Sequence, residues 1–150
     1  MIIQLDETKI AQRFNKAANT YDPVAVLQQQ VGRSLLERLK GIHCQPQTIL
    51  DLGCGTGYCE AFLKKLYPAA KIIGLDKSNG MLGQARAKEK AFQFPEVHWV
   101  GGCAENLPFS DHGFELVYSN LMLHWSNDFT QSLKEIRRIL KPEGLLLFSM

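Results

Sequence analysis

The chain has 150 residues, enough for one domain, and its 45% of hydrophobic residues can form a sizeable core. The formal charge of +2, with scattered Lys and Arg, gives no evident basic face for nucleic acid, although folding could still assemble one. No run approaches the ~18 apolar residues of a membrane span, and Met1 to Glu7 lack the features of a signal peptide. We predict a cytoplasmic protein that binds neither nucleic acid nor membrane.

Two helices are predicted at the N-terminus. The first has one apolar stripe, formed by Ile10, Phe14, Ala17 and Tyr21. The second is predicted to open with Asp22 as the cap and Pro23 at the first helical position. Its apolar face comprises Val24, Leu27, Val31, Leu35 and Leu39. We predict that residues 1–40 form a helical lid across the mouth of the sheet that follows, where ligands bind in such folds.

Residues 41–150 form the second predicted part, and from residue 48 short apolar runs alternate with amphipathic segments. This pattern is typical of an α/β fold, a Rossmann-like doubly wound parallel sheet with crossover helices. The five predicted strands are Ile49 to Leu52, Ile72 to Leu75, Val97 to Val100, Phe114 to Ser119 and Leu145 to Phe148. The predicted helices are Glu60 to Leu66, Asn79 to Lys90 after a Ser78 cap, and Phe129 to Leu140, capped by Asn127 or Asp128 and terminated by Pro142-Glu143-Gly144.

A glycine loop follows the first strand. Asp51 ends the strand, and Gly53, Gly55 and Gly57 occupy alternate positions, where the lack of a Cβ lets a ligand approach the backbone N–H groups. Such loops are also ordinary tight turns, so the flanking residues must decide. Tyr58 stands where a dinucleotide motif needs glycine, and the G-K-[ST] of a phosphate loop is absent. Since Asp51 would repel a pyrophosphate but attract an ammonium group, the predicted ligand is S-adenosylmethionine, which carries one.

The four cysteines do not suggest a metal site. Cys44, Cys54, Cys59 and Cys103 form no C-x-x-C pair, and Cys54 lies inside the glycine loop, where a zinc ligand would compete with the cofactor. We predict reduced, mostly buried thiols and no bound metal.

A second acid lies 19 residues beyond the last glycine, since 76 − 57 = 19. Asp76 follows the second strand, where a carboxylate can accept hydrogen bonds from both hydroxyls of a ribose. The alternative is that Asp76 caps the next helix, although Ser78 is better placed for that. Met81, on the first turn of that helix, either packs its thioether on the adenine or lies in the core.

The segment after the third strand carries a family resemblance. Ala104 to Phe109 reads A-E-N-L-P-F, and the next strand reads F-E-L-V-Y-S-N. Together with the D-x-G-x-G-x-G loop and the acid after strand two, residues 48–150 resemble a class I S-adenosylmethionine-dependent methyltransferase of the methyltransferase-11 type. The resemblance implies strands 1–5 of a seven-stranded fold, so the chain is expected to be truncated at Met150.

The resemblance extends to the N-terminus. The run R-F-N-K-A-A-N-T-Y-D from Arg13 to Asp22, then Leu27-Gln28, and Ser119 to Leu121 through His124-Trp125 are similar to the biotin-synthesis enzymes that methylate malonyl-[acyl-carrier protein]. The match then covers nearly the whole chain. It implies O-methylation of the free carboxylate of an acyl-carrier protein thioester, in biotin biosynthesis.

The resemblance also implies which residues bind the cofactor, with the glycine loop at the methionine part, Asp76 at the ribose and Met81 at the adenine. Position 103 departs from the family, which usually has Asp there, so Cys103 is expected to weaken adenine recognition, with the Ala104 N–H still in reach. The predicted cofactor-binding residues are Asp51, Gly53, Cys54, Gly55, Gly57, Asp76, Lys77, Met81, Cys103, Ala104, Glu105 and Asn120.

Methyl transfer to a carboxylate needs no obligatory base, because the acceptor is already ionised at pH 7 and alignment carries most of the catalysis. Tyr21 is the predicted catalytic residue, which hydrogen-bonds the acceptor or shields the methyl group; it could instead be a packed lid aromatic. His124 would be a base for an amine, phenol or activated carbon, but a lone His near an aromatic is more often structural. Trp125 lines the substrate pocket or the core.

Two other functions stay open at this point. One is a quinone- or phenol-directed, or other small-molecule, C- or O-methyltransferase, which His124 would favour. The other is a non-catalytic cofactor-binding fragment, because strands six and seven of the family fold are not present. The apolar fifth strand from Leu145 to Met150 is expected to pair two chains into a homodimer or to aggregate.

Overall fold

The computed structural model describes residues 4–93 and 96–150. Five strands form one parallel sheet in the order β3-β2-β1-β4-β5, so the chain changes direction across the sheet beside β1. The strands are Thr48–Leu52 (β1), Lys71–Asp76 (β2), Val97–Gly101 (β3), Phe114–Asn120 (β4) and Leu140–Ser149 (β5). The predicted α/β, Rossmann-like fold with a five-stranded parallel sheet is confirmed.

The helices are α1 (Glu7–Ala17), α2 (Tyr21–Val24), α3 (Val26–Leu39), α4 (Glu60–Leu66), α5 (Asn79–Phe92) and α6 (Phe129–Ile139), with 3₁₀ turns at Ala18–Thr20 and Leu123–Trp125. Two predicted caps are confirmed. Ser78 Oγ accepts a hydrogen bond from the Met81 N–H at 3.1 Å, and Asp128 accepts one from the Gln131 N–H at 2.8 Å. Among the described residues, no helix is long and apolar enough to cross a membrane.

The core lies on both faces of the sheet, because successive side chains of a strand point to opposite faces. On one face, Ile49 and Ile72 belong to a cluster with residues of α3 and α4. On the other face, Leu50 and Val117 pack with Ile136 of α6. All five are at most 1% exposed, so the sheet is a rigid base for the loops at its carboxyl end.

The start of the second N-terminal helix was predicted wrongly. Asp22 and Pro23 lie inside the short α2, and α3 begins only at Val26. The Asp22 carboxylate does not cap a helix, because it accepts a hydrogen bond from the Thr56 hydroxyl at 2.5 Å and pairs with Lys88. Tyr21 likewise belongs to α2, since α1 ends at Ala17.

The predicted apolar face of that second helix is only partly buried. Leu35 and Leu39 lie in the core, but Val24 and Leu27 are 75% and 63% exposed. The buried residues of α3 begin at Gly32, about two turns beyond Val24.

The junction between α6 and β5 also differs from the prediction. The helix ends at Ile139, and residues 142–144, predicted as a terminator, lie within the bounds of β5. They form an irregularity in the pairing with β4, in which Phe114 pairs with Leu140 and Leu116 pairs with Leu145. The regular apolar part of the strand begins at Leu145, as predicted. β5 forms one edge of the sheet, and its pairing with a second chain stays a prediction.

The four cysteines are free thiols. Cys54 and Cys59 are buried, whereas Cys44 and Cys103 are only partly buried. The predicted reduced state fits this arrangement, and the predicted burial holds for half of them.

Candidate cofactor and substrate site

A cavity of about 610 Å³ lies at the carboxyl ends of β1, β2 and β4, beneath α1 to α3. This volume is within the roughly 300–1,000 Å³ of small-molecule sites, and the position beside β1 is where such sheets bind ligands. The predicted site residues that line it are Tyr21, Asp51, Gly53, Cys54, Gly55, Asp76, Lys77, Met81, Cys103, Ala104, Glu105, Asn120, His124 and Trp125. Gly57 does not line it.

The glycine loop explains why Gly57 is the exception. All three glycines have positive φ, of 81°, 56° and 76° along the chain. A Cβ on Gly55 would meet no protein atom within 4 Å, so this backbone faces open space in the cavity. A Cβ on Gly57 would lie 2.9 Å from the Trp99 ring and 3.0 Å from the Ala85 Cβ, so Gly57 lets α5 and β3 pack behind the loop. The loop is therefore open toward the cavity at Gly55 and packed against the protein at Gly57.

Asp76 joins the glycine loop to the start of α5. One carboxylate oxygen accepts a hydrogen bond from the Gly55 N–H and the other accepts one from the Ser78 N–H, each at 2.8 Å. Burial raises the pKa of Asp76, and these backbone donors lower it again. A carboxylate has about four acceptor sites, so Asp76 retains acceptor capacity toward the cavity.

The side predicted to hold the adenine combines a core residue with loop residues. Met81 is 2% exposed and Ala104 5% exposed, yet both contribute to the cavity wall. Lys77 is exposed and forms an ion pair with Glu7 of α1. Glu105 is engaged with the protein, because its carboxylate accepts hydrogen bonds from Ser126 Oγ at 2.6 Å and from the backbone N–H of residue 127 at 3.1 Å.

The opposite wall carries the aromatic residues. Phe14 packs edge-on against Tyr21 and Trp125, with ring centroids 6.4 Å and 5.8 Å apart. His124 is exposed, with its ring 5.1 Å from that of Trp125. Burial, together with the nearby charges of Asp76 and Asp22, raises the pKa of Tyr21. Tyr21 is therefore protonated at neutral pH, and its hydroxyl donates to no residue that the structure describes, so it is free to donate to a ligand.

Asn120 ties three elements together at the carboxyl end of β4. Its amide donates to the Gln28 carbonyl of α3 at 2.8 Å, and its side-chain oxygen accepts a hydrogen bond from Ser149 of β5 at 2.9 Å. Its side chain is thus held in place at the cavity wall.

Polar contacts between the N-terminal segment and the starts of α5 and α6 were not predicted. Asn15 Oδ1 accepts hydrogen bonds from the Gly80 N–H at 2.8 Å and from Ser78 Oγ at 2.6 Å. The Asn127 side chain pairs with both backbone groups of Leu5, at 2.8 and 2.9 Å. These contacts join residues more than 60 positions apart, and no local sequence pattern indicates them.

Asp51 has a partner that the sequence reading also missed. Glu60, the first residue of α4, is 2% exposed, as is Asp51. Burial raises the pKa of both carboxyl groups, and each group also acts on the pKa of the other. The only sequence signal was an acid at the start of a helix, which ordinarily faces water.

The chain matches known proteins over most of its length. The family model for the methyltransferase domain matches residues 50–148. Malonyl-[acyl-carrier protein] O-methyltransferase of Methylovorus sp. is 41% identical over 149 residues, covering 97% of this chain and 50% of that protein. The biotin biosynthesis bifunctional protein BioHC of Cellvibrio japonicus is 40% identical over 141 residues, covering 93% of this chain and 26% of that protein.

A solved structure shows the same fold. A SAM-dependent methyltransferase of Thermotoga maritima superimposes with a TM-score of 0.69 at 28% identity, covering 90% of this chain and 58% of that one. The chain spans about half the length of the curated methyltransferases that it matches. Since the family model covers about two thirds of the residues, the chain belongs to the methyltransferase domain family.

Proposed function

We propose that this chain forms the S-adenosylmethionine-binding part of a methyltransferase that methylates the free carboxylate of malonyl-[acyl-carrier protein]. The observation that carries the proposal is the cavity at the carboxyl ends of β1 and β2, where an open glycine backbone lies between two acids, Asp51 and Asp76. The similarity to enzymes with that name, at 37–41% identity, supports the choice of acceptor. A cytoplasmic location and a biosynthetic role in biotin formation fit the same proposal.

The residues present suit the cofactor. Gly55 leaves backbone open to the ligand, Asp51 would face its ammonium group, and Asp76 would accept from its ribose hydroxyls. Met81 and Cys103 would flank the adenine. When bound, S-adenosylmethionine supplies an electrophilic methyl group, and the leaving thioether is neutral. Residues 1–40 would serve as the lid and residues 41–150 as the cofactor-binding part.

The N-terminal helices would handle the acceptor. Tyr21 holds a protonated hydroxyl at the cavity wall and would donate a hydrogen bond to the acceptor carboxylate, which aligns it without removing a proton. Phe14 and Trp125 would exclude water from the same region. No base is needed, because a carboxylate is already ionised at neutral pH.

The second candidate is a methyltransferase for a quinone, a phenol or another small molecule. His124 lines the cavity beside Trp125 and is exposed, so it could accept a proton from a phenol. The third candidate is a cofactor-binding fragment without activity of its own.

The experiment is a methyl-transfer assay with a chimera that continues this chain with the remaining half of the Methylovorus enzyme. We expect methylation of malonyl carrier protein, and Tyr21→Phe should lower turnover while leaving cofactor affinity nearly intact. His124→Ala serves as the matched variant on the same wall. Methylation of a quinone precursor with none of the carrier protein, abolished by His124→Ala, would favour the second candidate.

Cofactor binding by the 150-residue chain without methyl transfer would favour the third candidate. Light scattering on that chain tests pairing through β5.

A further inference from the structure

A carboxyl group lies beneath the floor of the cavity without a conventional partner. Glu60 is 2% exposed, and among the described residues no N–H or O–H group donates to either of its carboxyl oxygens. The sheet leaves room for it, because a Cβ on Gly74, the residue paired with Asp51 in the next strand, would lie 3.0 Å from Glu60 Oε1. An ionised carboxylate in such a place is costly, so Glu60 holds a proton.

The carboxyl group next to Glu60 is that of Asp51. Asp51 lines the cavity and pairs in the sheet with Gly74, the residue that lies against Glu60, and each of the two carboxyl groups shifts the pKa of the other. The other groups that act on the pair are Asp76 of β2, Cys54 and Cys59 beside the glycine loop, Tyr118 of β4 and Lys88 of α5. Burial raises the pKa of both thiols and of the phenol, so these three are neutral, and Lys88 is paired with Asp22.

We propose that Glu60 is a positioning residue for cofactor binding: it stays neutral, donates its proton in a hydrogen bond to Asp51, and thereby keeps the Asp51 carboxylate ionised toward the ligand's ammonium group. The inference rests on the proposed function, because Asp51 is taken to face that ammonium group. Glu60 does not line the cavity and acts only through Asp51.

This arrangement determines the protonation state of Asp51. With its donor in place, Asp51 is partly ionised near neutral pH, because the hydrogen bond from Glu60 opposes the effect of burial on its pKa. Without the donor, Asp51 takes up a proton, which must pass to the buffer when a cationic ligand binds. Loss of the donor should therefore weaken ligand affinity most at low pH, so that affinity depends more steeply on pH than in the parent. A packing defect would instead weaken affinity equally at every pH.

The first test is the dissociation constant of S-adenosylhomocysteine, which keeps the ammonium group, measured by nuclear magnetic resonance titration from pH 6 to 8.5. Glu60→Gln retains a donor, and Glu60→Met retains the volume without one. At pH 7 we expect Glu60→Gln within about three-fold of the parent and Glu60→Met about ten-fold weaker, as for one charge-assisted hydrogen bond. The loss should shrink toward pH 8.5. Equal affinities, a loss independent of pH, or a loss in Glu60→Gln equal to that in Glu60→Met would each overturn the proposal.

A double-variant cycle shows whether Glu60 acts through Asp51. In an Asp51→Asn background, adding Glu60→Met should leave the affinity within about two-fold, because the carboxylate that Glu60 serves is gone. A further ten-fold loss in that background would overturn the proposal.

The last measurement needs no ligand, so it separates this inference from the proposed function. A raised pKa in the folded state means that the contribution of Glu60 to stability is complete below its ordinary pKa of 4.5 and is lost as the pH rises through the folded value. Urea unfolding from pH 4.5 to 8.5 should therefore show Glu60→Gln gaining stability relative to the parent as the pH rises. Parallel curves would overturn the inference; diverging curves without any ligand binding would support the neutral Glu60 and contradict the proposed function.

Discussion

Helices α1 and α6 have the same length of eleven residues, and both are amphipathic, but they are held in opposite ways. α6 buries Ser132, Ile136 and Ile139, and the two isoleucines belong to the cluster against β1 and β4. α1 buries no residue, because its apolar side faces the cavity through Ile10 and Phe14. The same sequence pattern thus produces a scaffold helix in one place and a cover in the other.

The contacts of α1 explain the difference in physical terms. It is joined to the rest of the chain by side-chain hydrogen bonds of Asn15 and by the contacts of Glu7 with Lys77 and Asn127. Exposed ion pairs contribute about 0–1 kcal/mol and single hydrogen bonds about 0.5–1.5 kcal/mol. A helix held in this way can open while the sheet stays folded, so we expect α1 to be the part of the cavity wall that moves when a ligand enters.

The largest effect should come from truncating the scaffold helix. Ile136→Ala removes a side chain that is 1% exposed, and we expect about 2–5 kcal/mol lower stability from the lost burial and the cavity left behind. Urea unfolding followed by circular dichroism measures it. Ile10→Ala in α1 is the matched control and should cost under about 1 kcal/mol. Equal losses would show that α1 is part of the scaffold.

The next largest effect is expected from removing Asp76, the acid at the end of β2. Asp76→Ala should weaken S-adenosylhomocysteine by about 1.5–3 kcal/mol, because hydrogen bonds from the ribose to a carboxylate are lost. Calorimetry measures it, with Asp111→Ala, which removes an exposed acid paired with Arg138, as the control. Unchanged affinity in Asp76→Ala, or tighter binding of a nicotinamide dinucleotide by the parent, would contradict the assignment.

The polar anchor of α1 can be cut without touching the core. Asn127→Ala removes the hydrogen bonds to Leu5 and Glu7, so we expect faster tryptic cleavage after Arg13 and Lys16, with a stability loss of about 1 kcal/mol. Thr130→Ala, on the exposed side of α6, is the control. Cleavage rates that do not differ between these variants would show that α1 is held by other contacts.

The smallest effect is expected at the adenine side. Cys103→Asp restores an acceptor where the family usually has one, and should tighten S-adenosylhomocysteine by about 1 kcal/mol, as for one added hydrogen bond. Cys44→Asp, a partly buried thiol outside the cavity, is the control. A neutral or weaker affinity in Cys103→Asp would show that the backbone already satisfies the adenine.

Local sequence patterns predicted the features that depend on residues close together in the chain. The strands, the glycine loop and the caps at Ser78 and Asp128 follow from periodicity and from side chains that bond within three residues. The start of α3 was not predicted correctly, because the Asp22 carboxylate accepts a hydrogen bond from Thr56, 34 positions away, and does not cap the helix. Glu60 was predicted only as the first residue of a helix, and its burial beside Gly74 depends on a neighbouring strand that no local pattern indicates.

The same limit applies to the candidate site. Asp51 and Asp76 were predicted from the glycine loop and from spacing, and the family resemblance implied most of the others. Fourteen of the fifteen predicted site residues line one cavity. Gly57 was assigned to the ligand from its place in the glycine loop and from the family resemblance, whereas Trp99 and Ala85, which occupy the space beside it, come from β3 and α5.

Hydrogen exchange of the 150-residue chain, with and without S-adenosylhomocysteine, tests the account most directly. The amides of α1 should exchange fast in the free chain and slow on binding, because the ligand fills the cavity beneath Ile10 and Phe14. The amides of α6 should be slow in the free chain and change less. Equal protection of both helices before binding, or no slowing of α1 at saturating ligand, would contradict a cofactor cavity whose wall includes a weakly held helix.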